Sequence, residues 1–82
     1  MASALFVVIL SRNSWWVDFE GRAYGPYASR EEAADEARQQ AQYSAHSGRE
    51  SEVLVPDDSG RHRVVWTSAH EQQAGDVPRA AE

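Results

Sequence analysis

Tyr24-Gly25-Pro26-Tyr27-Ala28-Ser29-Arg30-Glu31-Glu32-Ala33-Ala34 is the stretch that decides the fold of this chain. Gly25-Pro26 forbids helix, because proline has no N–H to give and biases the residue before it toward extended backbone. Ala23 to Tyr27 is therefore extended. Ser29 reads as a helix N-cap. Its hydroxyl accepts from a first-turn N–H, and Glu32, three residues on, reaches back to complete a capping box. Glu31, Glu32, Asp35 and Glu36 lie near the positive end of the helix dipole, where carboxylates stabilise. Ala33, Ala34, Ala37, Ala41 and Ala45 follow at helical spacing, a stripe small enough to let the helix backbone sit close to a sheet. The helix is expected to run to about Ser44 or His46 and to stop before Gly48.

On the N-terminal side, residues 4 to 11 (ALFVVILS) form a continuous apolar run, which reads as a strand buried on both faces or covered by a partner on one. Phe6, Val8 and Leu10 alternate against Leu5, Val7 and Ile9. After the polar turn Ser11 to Ser14, residues 15 to 20 alternate as well. Trp15, Val17 and Phe19 point to the core, and Trp16, Asp18 and Glu20 point away. With alanines on the helix, the bulk of the core falls to Phe6, Trp15, Phe19 and Trp66.

On the C-terminal side, Glu52 to Pro56 is a short strand. Asp57-Asp58-Ser59-Gly60 is a hairpin turn with glycine where positive φ is expected. Arg61 to Ser68 returns, with His62, Val64 and Trp66 on one face and Arg61, Arg63, Val65 and Thr67 on the other. From Ala69 the chain is polar and aperiodic, so residues 69–82 read as a flexible tail after one domain at 1–68. The expected fold is α+β: an antiparallel sheet of two β-hairpins with one α-helix packed on one face, in the order β-β-α-β-β.

The chain has 82 residues and no cysteine, which removes disulfides, thiolate metal sites and a thiol nucleophile. A chain this short buries roughly 60% of its unfolded surface, so its core is marginal when alone. The apolar run at residues 4 to 10 has no basic residue before it and is far shorter than the ~20 residues needed to cross a bilayer. A soluble, cytoplasmic protein is expected. The net charge is -5, and all 8 basic residues are arginine. That bias suggests a GC-rich bacterial or phage source. An acidic chain without a lysine cluster suits neither nucleic acid nor a membrane surface, and it suits a protein with a basic surface.

The chemistry tests point away from catalysis. His46, His62 and His70 lack metal-ligand spacing. Asp57 to Gly60 lacks the alternating oxygens of a calcium loop. No Gly-x-Ser-x-Gly elbow and no phosphate-binding glycine loop is present. No cofactor is expected. The residues expected to make protein contacts are Trp16, Arg61, Arg63 and Val65, because tryptophan and arginine dominate interface hot spots. Arg63 is expected to stack on an indole or to pair with Asp18 or Glu20. The partner is expected to be a second copy of the chain, with Arg61 and Arg63 against Asp18 and Glu20 as a complementary rim, or else a protein with a basic surface. The rival from another class is a small hydrolase using His62 and Asp58.

Trp16-Val17, Gly21, Ser29-x-x-Glu32-Ala33, Ala37, Ala41, Val53-x-Val55 and Asp58-x-Gly60-Arg61 together resemble the small bacterial domains known as domain of unknown function 2188. Those domains carry a Gly-Trp-x-Val strand, a Thr-x-x-Glu-Ala helix start and an Asp-Gly-x-Ile hairpin. The resemblance covers residues 14 to 67. This chain departs from it with Ser14-Trp15 in place of glycine before tryptophan, and with an added Tyr-Gly-Pro-Tyr segment. The resemblance implies the β-β-α-β-β fold and no activity. A weaker likeness is to phage-encoded inhibitors of bacterial defence systems and to antitoxins, which would make the chain a binder of another protein.

Overall fold

The third strand sets the direction of everything after it. In the computed structural model, which describes residues 4–68, three strands precede the helix: β1 (Ala4–Ser11), β2 (Ser14–Phe19) and β3 (Arg22–Tyr27). Helix α1 (Arg30–His46), β4 (Ser51–Pro56) and β5 (His62–Thr67) follow. The sheet order is β3-β2-β1-β4-β5. The fold is α+β with one helix on one face, as the sequence implies. The sheet, however, is mixed: β1 pairs with β4 in parallel, and the other neighbours are antiparallel. The reason is topological. The extended Tyr-Gly-Pro-Tyr segment is a full edge strand, so the chain enters the helix one reversal later than two hairpins would require. The helix then delivers β4 in the same direction as β1. The segment expected to be a flexible tail, 69–82, lies outside the described residues, as does His70.

Local chemistry fixes the helix ends. Ser29 is the N-cap, and its Oγ accepts from the Glu32 N–H at 3.0 Å. Glu32 reaches back one residue further than a capping box requires and accepts from the Ala28 N–H at 3.0 Å. At the other end Gly48 takes φ +98, and two reverse bonds close the helix: Gly48 N–H to the Ala45 carbonyl at 3.0 Å and Arg49 N–H to the Ser44 carbonyl at 3.2 Å. This pair is a Schellman closure. It turns Arg49 back toward the sheet.

The core lies between the helix and the middle of the sheet. Ala33, Ala37 and Ala41 are fully buried against Ala4, Phe6, Val8, Val17 and Val53. Trp15, Phe19, Tyr27, Val55 and Trp66 pack around them, partly buried. The Phe6 and Phe19 rings stack with centroids 4.1 Å apart. Fully burying a valine or phenylalanine stabilises by ~1.5–3 kcal/mol, so this modest set makes each contact count.

Candidate functional site

The strand registers assign every side chain to one of two faces. Val7 pairs with Asp18 and Ile9 with Trp16 across β1 and β2. Val7 pairs with Leu54 across β1 and β4, and Leu54 with Val64 across β4 and β5. Residues opposite one another share a face. Trp16, Ile9, Val7, Leu54 and Val64 therefore form a continuous apolar ladder across four strands, on the side away from α1. Leu5 extends it. Leu5 is 46% exposed and Val64 53% exposed; Val7, Ile9, Trp16 and Leu54 are half-buried. The charged strand residues on this face, Asp18 and Glu52, are both acidic.

Trp16 is held in place. Its Nε1–H donates to the Ser11 carbonyl at 3.1 Å. Its ring lies over Gly25, where an added Cβ would come 3.3 Å from the ring and 3.0 Å from the Trp15 carbonyl oxygen. Gly25 takes φ +139, and the Gly25–Pro26 peptide is cis. Proline is tolerated there because β3 is an edge strand.

The other residues expected to join Trp16 do not gather around it. Trp16 is on β2, and β1 and β4 stand between it and β5. A β-bulge changes the phase of β5: Val53 pairs with Trp66 but Leu54 pairs with Val64, leaving Val65 as the extra residue. Val64 therefore faces away from α1, whereas Trp66 and Arg63 fall on the helix side. The sequence alternation had placed Val64 with Trp66, and Val65 with Arg63. Arg63 pairs with Asp57, Nε to Oδ2 at 3.0 Å, and Glu20 pairs with Arg49. The pairing of Arg63 with Asp18 or Glu20 expected within the chain is therefore not made. Arg61 lies in the β4–β5 connection, where its N–H donates to Asp57 Oδ1 at 3.0 Å. Asp57 also accepts from the Ser59 hydroxyl and N–H at 2.7 and 2.9 Å. Its hydrogen bond from the Ser59 hydroxyl, then that from Arg63, hold its carboxyl well below the usual carboxylate range.

His62 and Asp58 have separate structural partners. In the parallel ladder, Ala4 N–H donates to the Glu50 carbonyl, so the carbonyls of even-numbered β1 residues look toward β4 nitrogens. Extending that alternation brings the Val8 carbonyl opposite the nitrogen of Pro56, which has no proton. His62, paired with Pro56 in the next strand, supplies the missing donor: its Nε2 lies 2.8 Å from the Val8 oxygen. A carbonyl only accepts, so Nε2 carries the proton. Asp58 pairs with Arg30 at 3.3 Å, and Arg30 also donates to the Pro56 carbonyl at 3.1 Å. Among the described residues no three His, Cys, Asp or Glu side chains group so as to hold a metal ion.

A second feature, on the helix side, is a cavity of about 520 Å³ between α1 and the β2–β3 hairpin. Its floor is Phe6 and Val17, and Phe19, Tyr24 and Tyr27 continue the sheet wall. The helix wall is Glu36, Gln40, Tyr43, Ser44 and the C-cap Ser47. Arg49 and Glu20 also line it; they pair, and the Arg49 guanidinium lies over the Phe19 ring, 5.8 Å from its centroid. Burial, then the Glu36 carboxylate, then that of Glu32, push the Tyr27 phenol above its ordinary pKa. The alanine stripe marks only the face that α1 buries against the sheet. Positions 36, 40, 43, 44 and 47 form a second stripe at helical spacing, and that was the available signal.

No protein-family model, curated protein or solved structure matches this chain. The fold and the two surfaces are what bear on function. No helix among the described residues is long and apolar enough to cross a membrane.

Proposed function

We propose that this chain is a non-catalytic protein-interaction module whose working surface is the sheet face away from α1, with Trp16 as its anchor. The observation that carries this reading is the apolar ladder from Trp16 through Ile9, Val7 and Leu54 to Val64. Contiguous exposed apolar surface of this kind marks interaction sites on small proteins. Trp16 is fixed by Ser11 and Gly25 before any partner arrives, so little side-chain entropy is lost on binding.

Charge selects the partner. With Asp18 and Glu52 on the face and a net charge of -5, two copies would set acid against acid. A different protein with an apolar patch rimmed by arginine or lysine is the better complement. A bacterial source and kinship with domain of unknown function 2188 remain part of this proposal and add no activity to it.

The test is affinity capture from cells followed by binding measurements with the purified partner. Trp16→Ala and Val64→Asp each abolish or strongly weaken binding, Tyr43→Ala on the helix side does not, and affinity falls as salt rises. Light scattering at micromolar concentration gives a monomer. A dimer dissociated by Val64→Asp would replace the partner by a second copy on the same face. Partners that bind Trp16→Ala and Val64→Asp as well as they bind the parent chain would sink the reading.

A further inference from the structure

We propose that the cavity between α1 and the β2–β3 hairpin is a binding site for a small organic cation, an ammonium or guanidinium group on an apolar body. This site lies across the sheet from the protein-contact face and does not depend on it.

The cavity exists for a physical reason. The alanines of α1 draw the helix down onto β1 and β4, while the β2–β3 hairpin extends past it. The helix flank facing that hairpin carries Glu36, Gln40, Ser44 and Ser47, and its large side chain, Tyr43, stays mostly exposed at the edge. Nothing on that flank fills the space above Phe6 and Val17. At about 520 Å³ the space falls within the range of small-molecule sites, which is roughly 300–1,000 Å³. Its lining joins an aromatic and aliphatic wall, Phe6, Val17, Phe19, Tyr24, Tyr27 and Tyr43, to polar groups from the helix flank and the Glu20–Arg49 pair.

Charge chooses the ligand. The lining holds two carboxylates, Glu20 and Glu36, and one guanidinium, Arg49. Arg49 is taken by Glu20. Among the described residues Glu36 meets a neutral donor, the Gln40 amide at 3.3 Å, and no cation. The site is therefore left with one uncompensated negative charge beside three tyrosines. Aromatic faces attract cations through the ring quadrupole, and the wall already shows this at its rim, where Arg49 lies over Phe19. Phe19 is also stacked on Phe6, which leaves Tyr24, Tyr27 and Tyr43 to receive a ligand. The field of Glu36 and Glu32 is felt at the Tyr27 phenol, the sense that favours a cation and disfavours an anion.

Three probes of similar body and different charge test this: benzyltrimethylammonium, benzyl alcohol and phenylacetate. Each is titrated into the full chain and followed by backbone amide NMR and calorimetry. The cation is expected to bind with shifts at Tyr24, Tyr27, Tyr43 and Glu36. The alcohol should bind at least roughly tenfold more weakly, as loss of a cation–aromatic and charge contact implies, and phenylacetate not measurably. Glu36→Gln keeps the shape and should weaken the cation by about tenfold without changing the alcohol. Tyr43→Ala, at a side chain already 76% exposed, should weaken the cation with the fold intact. The inference is overturned if phenylacetate binds as well as the cation, if Glu36→Gln leaves the cation's affinity unchanged, or if no probe shifts these residues at millimolar concentration.

Discussion

On one side of the sheet Val8, Val17 and Val53 are sealed beneath three alanines of α1. On the other side Leu5, Val7, Ile9, Trp16, Leu54 and Val64 meet no covering element among the described residues. The two sides do not differ in being apolar. They differ in fit. The covered side pairs small residues on the helix with larger ones on the strands, so the backbones approach closely, and the cavity opens only toward the β2–β3 hairpin. The open side sets large residues beside Asp18 and Glu52. Stability is built on the first side. The second is left uncovered among the described residues, and on the proposed function it is the side that another protein matches.

The sharpest way to break the covered side is Ala37→Leu. Ala37 is fully buried, and a leucine there would push the helix off the sheet. The expected cost lies toward the upper end of ~1–3 kcal/mol. Urea denaturation reads it, and an unchanged midpoint would mean that the helix rides higher than the buried alanines indicate. A smaller loss, about 1 kcal/mol or somewhat more, is expected for Gly25→Ala, whose new methyl meets the Trp15 carbonyl and the Trp16 ring in a backbone conformation suited to glycine. That variant links the two sides, because it disturbs Trp16 on the open face from an edge strand. Its indole fluorescence should change together with its stability; a change in neither would free Trp16 from Gly25.

Much of the covered side was legible in the sequence because each of its features has a local cause. Ser29 and Glu32 announce the helix start, Gly48 its end, and Ala33, Ala37 and Ala41 the face it buries. The alternation of Trp15, Val17 and Phe19 gave their side of β2 correctly. What escaped is non-local. The direction of β4 depends on whether Arg22–Tyr27 counts as a strand, and a segment with glycine and proline does not announce itself as one. The bulge at Val65 inserts a single residue and leaves no mark in composition, yet it moves Val64 to the open face and Arg63 to the other. His62 escaped for a related reason. Its role is to donate where Pro56 cannot, and that becomes visible only when β1, β4 and β5 stand side by side.

The finest test makes one substitution on both sides. Val53 and Val64 are both β-branched, both in the β4–β5 hairpin, and both in strands that favour such residues. Val→Thr exchanges a methyl for a hydroxyl at nearly constant shape. At Val53, fully buried against α1, the hydroxyl would lose water with no partner provided for it, and the expected cost is ~1–3 kcal/mol. At Val64, 53% exposed, the hydroxyl keeps its water, and the expected change is within about 0.5 kcal/mol. Strand propensity, side-chain volume and hairpin context nearly cancel between the two, so the difference in unfolding free energy reports the difference in cover. The same Val64→Thr variant should still weaken partner binding, because a polar atom then sits in the ladder beside Leu54. A Val64→Thr loss as large as that of Val53→Thr would mean that the open face is already packed in the free protein, and it would remove the surface on which the interaction depends.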